Sequence, residues 1–330
     1  MNAQFKPAWW LPGPHFQTLW PTLAPRKIQI PLYNERLELP DGDFLDLSWV
    51  RQNNQDKSSS KPIVVVLHGL NGSIHSPYAK GIMQAIHQQG FRCVLMHFRG
   101  CSGVPNRLPR SYHSGETNDL NTVISELIKR EKNTPIYAVG YSLGGNVLLK
   151  WLGETGNKNP LKAAVAISVP FELAKTADRL NQGFSKVYQW GLIRELIKLH
   201  KHKFKIIPAP IHFGDIDKFR TFWDFDNNIT APLHGFKSAE DYYQQSSCRQ
   251  YLGHVDVPTL ILHAINDPFT TVDSLPTPKE ITSKISLEIM KEGGHVGFVT
   301  GKTPWQPIYW LERKIIQFLK QQDNFLLASL

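Results

Sequence analysis

Apolar and polar positions divide the chain into short runs of two kinds. ERLEL (35–39) and FLDLSWV (44–50) alternate apolar with polar residues, the period-2 pattern of strands with one face in water. IVVVLH (63–68), FRCVLMH (91–97), IYAVG (136–140), AAVAIS (163–168), TLILH (259–263) and ISLEIM (285–290) follow. The middle ones are continuously apolar, as parallel strands covered on both faces must be. Segments of helical character separate them at 78–89, at 116–130 with Ser114 or Thr117 as its cap, at 143–153 and in a closing stretch at 305–321. This rhythm predicts an α/β fold, a mostly parallel eight-stranded sheet with helices on both faces.

The rhythm breaks between the sixth run and the seventh. Residues 169–257 are far more than a crossover needs. They hold an apolar-periodic segment at 184–199 (Val187, Trp190, Ile193, Leu196, Ile197) and AEDYYQQS at 239–246. We read 169–257 as a helical cap inserted after the sixth strand, which leaves 1–168 and 258–330 as the core. Residues 1–30 read as an arm packed on that core. Trp9, Trp10, Phe16, Leu19 and Trp20 load the arm with apolar surface, and interrupting prolines and a histidine set it apart from a secretory leader. Contact with a membrane surface, a partner or an acyl substrate is the alternative role for it. NNQDKSSSK (53–61) reads as a polar loop.

Candidate chemistry begins where the fifth strand meets a helix. Gly140-Tyr141-Ser142-Leu143-Gly144 is a G-x-S-x-G string in strand–turn–helix context. A serine at the tip of such a turn needs glycines beside it, because side chains there would strike neighbouring backbone. The helix that follows aims its free N–H groups at the same spot. A serine hydroxyl needs a base, and in this fold the order is Ser, then an acid, then His. HAINDPF places Asp267 just past the seventh strand and EGGHVGF places His295 in a glycine-flanked loop past the eighth. The rival acids are Asp256, at the wrong end of the sheet, and Asp273, a few residues late; the rival histidines are His254 and His263. Ser142 is thus the expected nucleophile, His295 its base and Asp267 the group that orients the imidazole. The oxyanion donors expected are the backbone N–H groups of Leu143 and, from HGLNGS (68–73), of Leu70, with His68 orienting that loop. Arg99, on HFRGCSGVPNR, reads as structural, with a substrate-carboxylate clamp as its alternative.

Charge and cysteine content narrow the picture further. The net charge is +9, concentrated at KLHKHKFK (198–205), but no nucleic-acid-reading motif accompanies it. The run reads as a solvated, partly amphipathic helix end, with a mild attraction to anionic lipid surfaces, a weak membrane-surface contact, as its functional alternative, and no nucleic-acid partner is expected. Three cysteines (Cys93, Cys101, Cys248) imply no disulfide framework, and with no stretch able to span a membrane the expected location is cytoplasmic.

Read together, HGLNGS, MHFRGCSGVPNR, YHSGET, GYSLGGN, HAINDPF and GGHVGF resemble the family-four branch of the AB hydrolases. That branch includes bacterial YheT-like hydrolases, eukaryotic lipid hydrolases and yeast medium-chain acyl ester synthase/esterases. WWLPGPHFQT and EDYYQQSS extend the resemblance over nearly the whole chain. It implies an α/β-hydrolase fold, with nucleophile, acid and histidine on Ser142, Asp267 and His295, and activity on acyl esters. The expected function is hydrolysis of short- to medium-chain carboxylic esters through an acyl-enzyme, with a small-molecule acyl ester as partner and without cofactor or metal. Acyl transfer to an alcohol, or ligand binding without turnover, are the alternatives; oligomeric state is left open.

Overall fold

The computed structural model describes residues 5–51 and 61–327; all of the polar loop predicted at 53–61 except Lys61 lies outside the described residues. The chain runs α1 (Gly13–Leu23), β1 (Leu32–Glu38), β2 (Phe44–Val50), β3 (Ile63–Leu67), α2 (Ala79–Gln88), β4 (Arg92–Met96), α3 (Asn118–Arg130), β5 (Ile136–Tyr141), α4 (Leu143–Thr155) and β6 (Ala163–Ile167). Then come α5 (Leu173–Leu180), α6 (Ser185–Lys203), α7 (Phe222–Phe225), α8 (Ala231–His234) and α9 (Ala239–Ser246). The chain ends with β7 (Thr259–Ala264), β8 (Ile285–Met290), β9 (Val299–Thr300), β10 (Ile308–Tyr309) and α10 (Trp310–Leu327).

Eight strands form one sheet in the order β1-β2-β4-β3-β5-β6-β7-β8. The β1–β2 and β2–β4 pairs are antiparallel and the rest parallel. Every residue of β3, β5, β6 and β7 is buried, because helices cover both faces. Alternation sends Val65, Leu67, Ala138 and Ala164 toward α3 and α4, and Val64, Val66, Val139 and Val165 toward α2 and α10.

Local differences from the predicted elements have identifiable causes. β2 was expected to keep a wet face, yet Ser48 is buried against Asn34 and His97, because β2 lies inside the sheet between β1 and β4. The last helix starts at Trp310, not 305, because Pro307 disfavours helix at the residue before it, and Ile308–Tyr309 pair with β9 instead. Thr117 takes the N-cap position of α3, but its hydroxyl donates to Glu154 while Glu116 accepts from Asn118 N–H.

Helices α5 to α9 lie between β6 and β7 with an apolar cluster of their own, including Leu173, Leu180, Ile193, Phe225, Ile229 and Tyr243. Polar ties hold them to the sheet-bearing part. Ser185 Oγ donates to Pro268 O, Asn71 Nδ2 donates to Leu192 O, and Tyr242 Oη accepts from Ser114 N–H. The basic run was read as a solvated, partly amphipathic helix end; Lys198, Lys201, His202 and Lys205 are exposed, while its other side is buried. Lys203 is buried, donating to Asn106 Oδ1 and Arg110 O, and His200 is buried beside Phe225. No helix among the described residues is long and apolar enough to cross a membrane.

Candidate active site

The parallel strands all end at one edge of the sheet, and the sequence-predicted residues gather there. Ser142 sits between β5 and α4 at φ 51° and ψ −118°, a conformation that costs a non-glycine residue of order 1–3 kcal/mol. Close packing on both sides enforces it. A Cβ at Gly140 would stand 2.5 Å from Gly144 O, and one at Gly144 would stand 2.5 Å from His68 O. The Ser142 backbone is tied at both ends, its N–H to Ile167 O and its carbonyl to Asn146 N–H. Asn146 in turn ties Ser114 O, Ser246 O and Cys248 N–H together behind the turn.

Ser142 Oγ lies 2.9 Å from His295 Nε2, and His295 Nδ1 lies 2.8 Å from Asp267 Oδ2. With a carboxylate facing Nδ1, the proton resides there and Nε2 is free to accept from the serine hydroxyl. Asp267 is buried, and Phe269 N–H donates to its other oxygen. Burial alone would raise the Asp267 carboxyl, but His295, His263 and the Phe269 N–H together hold it below the usual carboxylate range. Asp273, six residues on, instead pairs with Lys175 at the surface, and Asp256 precedes β7. His263 is buried inside β7 with Nε2 at 3.0 Å from Thr270 Oγ1; burial holds its pKa down at about 4.

The loop after β3 passes directly beside the serine, with a Cβ at Gly69 falling 3.3 Å from Ser142 Cβ. Among the described residues neither the Leu70 N–H nor the Leu143 N–H has a hydrogen-bond partner, which leaves both free to donate to an oxygen from outside. His68 fixes this loop: Nδ1–H donates to Gly69 O and Nε2 accepts from Phe98 N–H. That pairing requires a neutral ring, in keeping with burial that lowers its pKa to about 3. The Arg99 guanidinium is engaged by Asp41, Asp43 and Asp119, which makes it a loop fastener.

Several contributors escape the reading of motifs. The His295 N–H donates to Thr18 Oγ1 in α1, and Gln17 pairs with both the N–H and the O of Val299. The His295 loop and α1 approach so closely that a Cβ at Gly297 would lie 2.3 Å from Gln17 O. Phe269 stacks flat on the imidazole at 3.9 Å between centroids, and Ser168 Oγ accepts from Val296 N–H. Among the described residues the non-glycine positions at positive φ are Asn71, Ser142, Ser168, Val296 and Phe298, all on loops at this edge. Stored strain thus concentrates where the candidate chemistry is. The usable signal for the α1 contacts was WWLPGPHFQT, which ends in Gln17 and Thr18; nothing in periodicity pointed to Ser168 or Phe269.

Above the serine opens a cavity of about 830 Å³. Leu19 and Pro21 of α1, Leu173 and Leu180 of α5, and Tyr188 and Leu196 of α6 are among its walls. Ser142, Leu143, Leu70 and His295 face it from the sheet side.

The sheet, with its strained serine turn and the acid and histidine past its later strands, defines the α/β hydrolase class. Residues 62–302 match the α/β hydrolase fold family, and the chain belongs to it. The Escherichia coli protein named "Putative esterase YheT" is 42% identical over 96% of this chain and 93% of its own length. The mouse phospholipase ABHD3 is 30% identical over 97% of this chain and 79% of its own. Among solved structures, the esterase Pf2001 of Pyrococcus furiosus shares the fold with a TM-score of 0.57 at 17% identity, covering 90% of this chain and 97% of that one. Est1E of Butyrivibrio proteoclasticus, solved with ferulic acid, gives 0.57 at 15% identity over 88% and 99%.

Proposed function

We propose that the protein is a serine hydrolase of carboxylic esters with short to medium acyl chains. The observation that carries this is the unbroken link from Asp267 Oδ2 through His295 to Ser142 Oγ, at 2.8 and 2.9 Å, on the floor of a largely apolar cavity. A relative named an esterase and another named a phospholipase support the ester class.

In this reading Ser142 Oγ attacks the acyl carbonyl carbon while His295 Nε2 takes its proton. Asp267 holds the tautomer and stabilises the imidazolium. The tetrahedral oxyanion is bound by the N–H groups of Leu143 and Leu70, each worth about a hundred- to a thousand-fold in rate. On collapse the C–O bond to the alcohol breaks, and His295 gives the leaving oxygen its proton. Water then attacks the acyl-serine, with His295 taking and returning a proton in the same way, and the carboxylic acid departs. Residues 169–257 act as a cap that walls the acyl site.

The test is mass spectrometry after treatment with a small fluorophosphonate. A single adduct on Ser142, absent from His295→Ala, is expected. A folded wild-type protein that takes no adduct, with or without detergent, overturns the proposal.

A further inference from the structure

The mouth of the cavity is bordered by apolar side chains that face water. On α1, Phe16 and Leu23 are exposed, and Leu19, between them on the same helix face, lines the cavity. At the N-cap of α6 Phe184, and on the helix Val187 and Trp190, are each at least half exposed, and Val187 and Trp190 are also cavity walls. The two helices meet at this rim: the His15 ring lies 4.5 Å from Phe184 and within hydrogen-bond reach of Tyr188. Neither row belongs to a buried cluster, and the apolar cluster beneath α6 is filled by other residues of that helix, Ile193 and Leu196.

The exposed face of α6 changes character along its length. Its N-cap and first turns carry Phe184, Val187 and Trp190, and the same face continues as Arg194, Lys198 and Lys201, with Lys205 just past the helix end. Arg194 lies over the Trp190 ring at 4.9 Å, at the junction of the two zones. Glu195 and Asp217 offset part of this charge through Lys198 and Lys201, but Arg194, Lys186 and Lys205 remain, on a chain whose net charge is +9. Aromatic residues beside long cations suit the boundary between acyl chains and anionic headgroups.

We propose that this rim docks onto an anionic phospholipid bilayer, with the α1 and α6 aromatics entering the headgroup boundary and the α6 cations on the phosphates. A protein seated there would stopper the cavity, and a second copy would bring like charges together; a bilayer instead opens the mouth to acyl chains. The docking stands on the surface itself, whereas the idea that the docked cavity draws its acyl ester from the bilayer rests on the hydrolase reading.

The experiment is co-flotation of the full chain with phosphatidylcholine vesicles, alone or containing about 30 mol% phosphatidylglycerol, beside turnover of a water-soluble butyrate ester. Wild type is expected to bind anionic vesicles at least tenfold more tightly than neutral ones, and to be released by about 0.5 M salt. Phe16→Ser/Phe184→Ser and Lys186→Glu/Lys198→Glu, which alter no cavity wall, are each expected to lose at least tenfold in vesicle binding while keeping soluble turnover within twofold. Thermal melts check that they are folded. Wild type that stays with the aqueous phase, doubles that bind as wild type, or a stable dimer through this face overturns the proposal. Absence of ester turnover with intact vesicle binding would instead strike the hydrolase reading and spare the docking surface.

Discussion

The sheet and the helices between β6 and β7 bury different kinds of residue. The interiors of β3 and β6 are wholly aliphatic, β5 between β3 and β6 adds Tyr137, Gly140 and Tyr141, and past the strand ends His68, Ser142 and Ser168 emerge. Between β6 and β7 the helices bury Gln189, His200, Lys203, Asp226 and Thr230. One region therefore derives rigidity from close-packed aliphatic layers. The other has buried polar groups whose burial disfavours their charged forms. The candidate site, which needs ångström placement, stands on the first, and part of the wall of its cavity is built from the second.

The largest effect that tests this division is on chemistry. Ser142→Ala and Asp267→Asn should each lower kcat/KM for a soluble ester by about ten-thousand-fold or more, with thermal melting unchanged within a few degrees. Next is the scaffold itself. Gly140→Ala puts a methyl 2.5 Å from Gly144 O, against helix backbone that cannot step aside. Loss of about 3 kcal/mol in urea unfolding is expected, with a drop of about a hundred-fold in turnover as Oγ shifts. A stable, active Gly140→Ala protein would mean that the turn is less tightly enforced than its packing implies.

The polar interior of the helices should show in pH dependence. Asp226 accepts from Thr230 Oγ1 and Tyr243 Oη, and burial raises its pKa from 3.8 to about 6. Its contribution to stability is fully present below the unfolded value and is lost as pH rises through about 6. Burial of Lys203 lowers its pKa from 10.5 to about 8, so its contribution is present above the unfolded value and lost as pH falls through about 8. Near neutrality both groups are charged at a cost. Asp226→Asn keeps the shape, its amide oxygen accepting from one hydroxyl and its amide nitrogen donating to the oxygen of the other, and should raise stability at pH 7.5 by about 2 kcal/mol, the gain shrinking as pH falls toward 4. A gain independent of pH would show that the carboxyl's charge is not the source.

The same contrast explains what could be read from sequence. Continuous aliphatic runs announced the parallel strands, and strand ends located Ser142, Asp267 and His295, because burial on both faces leaves few residue types possible. The contacts of Thr18, Gln17 and Phe269 with the His295 loop obey no period, since they arise between segments far apart in the chain. The burial of Lys203 was hidden for a related reason. A lysine in a basic run reads as solvated until the Asn106 and Arg110 acceptors are seen beside it.

The smallest effect expected is also the sharpest test of where the site's acid lies. Asp273 follows Asp267 by six residues on the same loop, and its carboxylate is 68% exposed, 2.8 Å from Lys175 Nζ of α5. That ion pair joins the helical region to the loop after β7, and its attraction pulls the Asp273 pKa down to about 2. An exposed pair of this kind contributes little, so Asp273→Asn should leave kcat/KM within about twofold of wild type. The informative comparison is with Asp267→Asn alone and with both changes together. If Asp273 cannot reach His295, the double variant matches Asp267→Asn. A further tenfold loss in the double variant would mean that the loop swings to offer its second carboxylate to His295.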